Sequence, residues 1–237
     1  MKNHLGRPLE VCLAISGSDI INREMTMGKS ENMKGKRGAV ILHAILVILE
    51  IIAFVHDIRA FGIGMFQYYT IDSNVLQMVV SICMLAYLLR RIPVPCWLVV
   101  LHLVCAVCLT VTFLIAAFVL APQGGFDYYF FSDVAPINHF LGPLLSVVTF
   151  IFTQNERPLS KRMFFAPVAA TLLYGLIALI LNILRVLDGP YFFLRVYEEP
   201  AATVVMWFLI IAGLCMVINA LYILLRRVVR KRHFRNH

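Results

Sequence analysis

Cys96-Trp97-Leu98-Val99-Val100-Leu101-His102-Leu103-Val104-Cys105-Ala106-Val107-Cys108-Leu109-Thr110-Val111-Thr112-Phe113-Leu114-Ile115-Ala116-Ala117-Phe118-Val119-Leu120 runs without one charged residue. About 20 helical residues cross the ~30 Å hydrocarbon core of a bilayer. This stretch, taken from about Pro95 to Leu120 and closed by Ala121-Pro122-Gln123-Gly124-Gly125, is long enough with residues to spare. Its length and apolarity decide the fold class: the chain is read as an all-α membrane protein.

Five further segments follow the same rule. They run from about Ala39 to His56, Tyr68 to Leu89, Val134 to Thr153, Phe164 to Leu187 and Ala201 to Leu225. The whole is expected to be a polytopic bundle of six transmembrane helices. The six spans occupy residues 38–225, between a flexible basic tail at 1–37 and a second basic tail at 226–237. Composition agrees, with 61% hydrophobic and only 14% charged residues in 237, against roughly half and a quarter in soluble domains.

The net charge of +8 sits in the tails and beside helix ends, where it sets topology and meets anionic lipid. No nucleic-acid partner is expected. Of the 21 lysines and arginines, only Arg59, Arg185 and Arg195 fall in the joints after the first, third and fifth spans. The positive-inside rule then puts both termini in the cytoplasm. The opposite joints carry Asp57, Asp127, Asp133, Asp188, Glu198 and Glu199. No cysteine falls in those joints, so no disulfide framework is expected. Cys105 and Cys108 form a lone CxxC with no second pair to complete a zinc site, and read as small packing residues. No cofactor motif or nucleotide loop is present, and no cofactor is expected.

Polar groups inside spans are costly and mark function or helix packing. Thr70, Ser73, Asn74, Gln77 and Ser81 recur at three- and four-residue spacing, which places them on one helix face. Asp72 points elsewhere. Asn138 and His139 fall near the start of the fourth span, where Pro136 suits a first helical turn. His43, Glu50 and Asp57 share a face of the first span, with His56 beside it. Asn182 and Arg185 share a face of the fifth span, with Asp188 a turn later. Gln77, Ser81, His102 and Asn219 are read as interhelical hydrogen-bonding groups. Thr70, Asp72, Asn74, Asn138, His139, His56, Asp57 and Asp188 concentrate at one end of the spans, which implies a polar cavity near the outer leaflet. The aromatic joint Phe126-Asp127-Tyr128-Tyr129-Phe130-Phe131 reads as an interfacial belt, or as a lid over that cavity.

A hydroxyl and an imidazole suit acyl transfer. A threonine needs an adjacent base, and His139 is the candidate. An Asn74 or Asn138 amide would stabilise an oxyanion, and Asp57 or Asp72 would orient the imidazole. No G-x-S-x-G element is present. Two other readings remain: a transporter or small-ligand binding protein using the His43/Glu50/Asp57 stripe, and a metal centre at His56, Asp57, Asp72 and His139.

Tyr69-Thr70-Ile71-Asp72-Ser73-Asn74, followed by His139-Phe140-Leu141-Gly142-Pro143-Leu144-Leu145, resembles the paired signature of the androgen-induced membrane protein family and its bacterial six-span relatives. The stretch Tyr174…Asn182…Arg185…Gly189-Pro190-Tyr191-Phe192-Phe193-Leu194 is similar to that family's Tyr-Arg-Pro-Tyr-Pro-Phe-Leu pattern, with Phe192 in place of its second proline. The resemblance covers about Ala39 to Leu225. It implies an intramembrane threonine hydrolase of fatty-acid esters of hydroxy fatty acids. Thr70 would be the nucleophile and His139 the base, with Asp72, Asn74, Asn138, Asp57, Arg185 and Asp188 in support. Membrane lipid and a lipid-like substrate are the implied partners, and a bacterial cytoplasmic membrane the implied location.

Overall fold

The computed structural model describes residues 29–153 and 161–235, with side chains over 37–151 and 163–229. Two compact units divide between Gly38 and Ala39. Only the start of one helix belongs to the described part of the first, and everything below concerns the second. Residues 1–28 and the joint 154–160, with Arg157, lie outside the described residues.

The helices that build the bundle are α1 (Lys29–Phe61), α2 (Tyr69–Leu89), α3 (Cys96–Ile115), α4 (Phe126–Phe130), α5 (Gly142–Thr153), α6 (Ala166–Ile183) and α7 (Ala201–Arg235). No strand occurs among the described residues. Among the described residues, five helical stretches are long and apolar enough to cross a membrane: 37–67, 69–89, 96–124, 163–183 and 201–229. The chain is an all-α polytopic membrane protein. The fourth apolar segment, Ile137–Ile151, is shorter than these five. Helix is nevertheless unbroken over 135–153, about 28 Å at 1.5 Å per residue.

The quoted apolar stretch forms the centre of the bundle. α3 packs against α2, α5, α6 and α7. Leu103, Ala106, Val107 and Val111 of α3 meet Phe150 and Ile151 of α5 and Cys215, Ile218 and Tyr222 of α7. Val80 and Met84 of α2 pack on Leu98 and Cys105. Cys105 and Cys108 are free and buried, as expected for packing residues. Lipid tails are as apolar as leucine, so close packing and interhelical hydrogen bonds hold such a bundle together.

Helix ends depart from the expected spans in two instructive places. α1 continues past His56 to Phe61, which keeps Asp57 on a regular helix. The fifth span ends at Ile183 instead of Leu187. There Arg185 takes a left-handed φ of 57°, and the Val186 and Arg185 N–H groups return to the Leu181 and Asn182 carbonyls. This is a left-handed helix stop. The Asn182 side chain then replaces the helix ladder: its Nδ2 donates to the Leu187 carbonyl at 2.9 Å and its Oδ1 accepts from the Val196 N–H at 2.9 Å.

Candidate functional site

The inner face of α1 is built from the residues least suited to lipid. His43, Leu46, Glu50, Ala53 and Asp57 are buried, at three- and four-residue spacing. Ile41, Ile45, Ile48, Ile52 and Val55 are exposed on the other side. The helix is thus apolar outside and polar inside, the inverse of a soluble amphipathic helix.

The end of α1, the start of α2 and the turn before α5 are tied by three amide hydrogen bonds. Asn138 Nδ2 donates to Asp57 Oδ2 at 2.9 Å. Asn74 Nδ2 donates to the Thr70 carbonyl at 2.9 Å and to the Asn138 carbonyl at 3.1 Å. One amide therefore grips both the backbone that carries Thr70 and the backbone that leads into His139. The other Asp57 oxygen faces His56 Nδ1 at 3.3 Å. Asp57 is also close enough to exert its charge on His139. Residues 137–141 form a π-turn, a distortion that recurs at functional sites.

His139 packs edge-on against Tyr129, with ring centroids 5.8 Å apart, and lies 6.1 Å from the Phe130 centroid. Its Nδ1 is buried with no hydrogen-bond partner. The aromatic joint, folded as α4, therefore covers His139, which gives the lid reading a concrete contact. The expected oxyanion role of Asn74 is not available, because both of its amide hydrogens are committed to carbonyls.

Thr70 lies in the wall of a different space. A narrow cavity of about 60 Å³ runs between α2, α3, α6, α7 and the loop before α7. Thr70, Tyr69, Thr171, Tyr191, Phe193 and Phe208 are among its walls, and the lining is almost wholly apolar. Tyr191 and Thr70 line this wall together, from the loop before α7 and the start of α2. Burial pushes the Tyr191 phenol up to about 12, so it keeps its proton throughout the neutral range. Tyr69 bonds Thr171 at 2.8 Å, and Cys108 and Cys215 each approach the same Thr171 hydroxyl at 3.6 Å. The first and third motif stretches thus meet at the cavity, while the first and second meet through Asn74.

The remaining expected residues are less central. Asp72 is half-buried and acts electrostatically on Tyr174 and Tyr191. Arg185 is exposed, its guanidinium 4.4 Å from the Tyr197 ring centroid. Asp188 is exposed on the same loop. Deeper in the bundle, Ser146 donates to Gln77 Oε1 at 2.5 Å, Gln77 donates to Ser81 at 2.7 Å, and Ser81 meets His43 Nδ1 at 3.2 Å. His102 Nε2 meets Thr149 at 3.0 Å. Asn219 donates to the Phe164 carbonyl at 2.5 Å. Gln77, Ser81, His102 and Asn219 thus bond across elements, as their sequence positions implied. No group of three or more His, Cys, Asp or Glu side chains among the described residues is placed to hold a metal. His56, Asp57, Asp72 and His139 therefore do not assemble into a metal centre. Tyr191 and Thr171 are the participants that sequence spacing did not single out.

Comparison with family models, with curated proteins and with solved structures finds no match to this chain.

Proposed function

We propose that this chain is an intramembrane hydrolase of a lipid ester of the fatty-acid type, akin to the androgen-induced membrane protein family. Six spans, both termini in the cytoplasm and a bacterial cytoplasmic membrane complete the reading. The carrying observation is the convergence on the start of α2: Tyr191 from the fifth-span motif shares one cavity wall with Thr70, and Asn74 joins the Thr70 and Asn138 backbones. The positive-inside count then sets this end of the bundle toward the outer leaflet.

In this reading an acyl chain enters between helices and lies in the apolar cavity, with the ester carbonyl at Thr70. The Thr70 oxygen attacks the carbonyl carbon while His139 takes its proton, directly or through one water. The ester C–O bond breaks, and the leaving alkoxide takes the proton from His139. Water, deprotonated by the same imidazole, then releases the fatty acid and restores Thr70. Tyr191 is the donor available to the oxyanion, in place of the committed Asn74 amide. Asp57 orients and supports the imidazolium across the Asn138 segment.

The test is labelling of native membranes with a fluorophosphonate hydrolase probe. Wild-type protein is expected to label, and Thr70→Ala and His139→Ala are expected not to, at unchanged protein levels. Labelling that survives Thr70→Ala would overturn the choice of nucleophile. A folded wild type that never labels would overturn the hydrolase reading in favour of binding or transport.

A further inference from the structure

Ester chemistry leaves the deepest acid of this end of the bundle without a task. Glu50 is 2% exposed, and its Oε1 has no hydrogen-bond partner. Asn74 Oδ1 and Asn138 Oδ1 are buried and unpartnered as well. The orientation of both amides is fixed by their other ends, because Asn74 Nδ2 donates to two carbonyls and Asn138 Nδ2 to a carboxylate. Flipping either would set an oxygen against an oxygen. The free groups are therefore all acceptors, and none can satisfy another.

Gly142 locates their meeting point. A Cβ at Gly142 would lie 2.8 Å from Glu50 Oε1, 2.8 Å from Asn74 Oδ1 and 3.0 Å from the Ile137 carbonyl oxygen. Three oxygens from α1, α2 and the π-turn thus converge beside the Gly142 Cα, where even a methyl group would press against them. Asn138, with its own free oxygen, is the next residue after Ile137.

A carboxylate buried among acceptors within a membrane requires a positive charge. Asp57 already accepts from Asn138 and faces His56, so Glu50 Oε1 is the carboxylate oxygen left without a partner. A proton would balance it but supply one donor for several acceptors. Calcium seeks six to eight oxygens, and magnesium retains its waters in a strict octahedron. A dehydrated monovalent metal ion takes amide, carbonyl and carboxylate oxygens directly.

We propose that Glu50 Oε1, Asn74 Oδ1 and the Ile137 carbonyl, joined by Asn138, form a binding site for a sodium ion. The site needs neither the Thr70 hydroxyl nor the His139 imidazole, so it stands whether or not the chain is a hydrolase.

The experiment is equilibrium binding of radioactive sodium to purified full-length protein in detergent, in choline buffer. Wild type and Thr70→Ala are expected to bind saturably, without competition from choline. Glu50→Gln keeps the shape of the side chain and is expected to lose at least about tenfold in affinity, since the charged ligand is gone. Gly142→Ala puts a methyl group among the three oxygens and is expected to abolish binding. Should Gly142→Ala fail to fold, Glu50→Gln alone decides. Absence of saturable binding to folded wild type would overturn the proposal, as would equal binding by Glu50→Gln. A melting temperature that responds to pH but not to sodium would assign Glu50 a proton and also overturn it.

Discussion

Tyr191 meets Thr70 in one cavity wall from a loop far along the chain, and burial raises its phenol so that it keeps its proton at neutral pH. Removing only that oxygen separates two jobs. Tyr191→Phe keeps the cavity wall but takes away the donor beside Thr70. Hydrolysis of a long-chain p-nitrophenyl ester is expected to fall about a hundredfold in kcat, with KM nearly unchanged. A merely structural Tyr191 would instead lower the melting temperature and leave kcat per folded molecule intact. At this scale the sequence revealed which residues face inward and hid what they do there. The spacing of His43, Glu50 and Asp57 predicts a common face, and all three are buried on it. The Asn74 amide was expected at an oxyanion. Side-chain type cannot reveal that both hydrogens are already spent on the Thr70 and Asn138 carbonyls.

The loop between α6 and α7 works as an element because Asn182 holds it. A full helix to Leu187 is the natural reading of an apolar run that closes at Asp188-Gly189-Pro190. The chain stops a turn earlier, because Asn182 offers the backbone a better set of bonds to Leu187 and Val196. Such competition between side chain and ladder is typical of asparagine. Asn182→Leu leaves a carbonyl and an amide without partners and is expected to cost about 2 kcal/mol. Hydrogen exchange checks this: the Val196 amide is expected to exchange faster, while amides in the middle of α3 stay protected. Unchanged protection at Val196 would show that the loop holds itself. The first-turn place of Pro136 was legible in the fourth segment. The π-turn over 137–141 was not, since nothing in Ile137-Asn138-His139-Phe140-Leu141 departs from ordinary helical composition.

Over the whole molecule, the run from Cys96 to Leu120 was read as a span, and its place as the hub of the bundle came only with the structure. Apolarity alone does not separate a lipid-facing helix from one enclosed by its neighbours, because both surroundings are apolar. The proposed orientation follows the placement of lysine and arginine and is open to direct measurement. In a cysteine-free background, Asp127→Cys is expected to react with a membrane-impermeant maleimide on intact cells. Arg227→Cys is expected to react only after permeabilisation. The reverse pattern would invert the topology and move Thr70 to the cytoplasmic side.

The two-faced character of α1 has a consequence for how the protein is made. α1 leaves the ribosome before the helices that enclose it, and it carries His43, Glu50 and Asp57 on the face they cover. Alone in a bilayer it would present all three to lipid, and an acid near the centre of a lone helix costs about 3 kcal/mol on insertion scales. Its hydrogen-bond partners, Ser81 and Asn138, are synthesised afterwards. The first helix is therefore the one that must wait: its settled position is written in helices that do not yet exist when it enters the membrane.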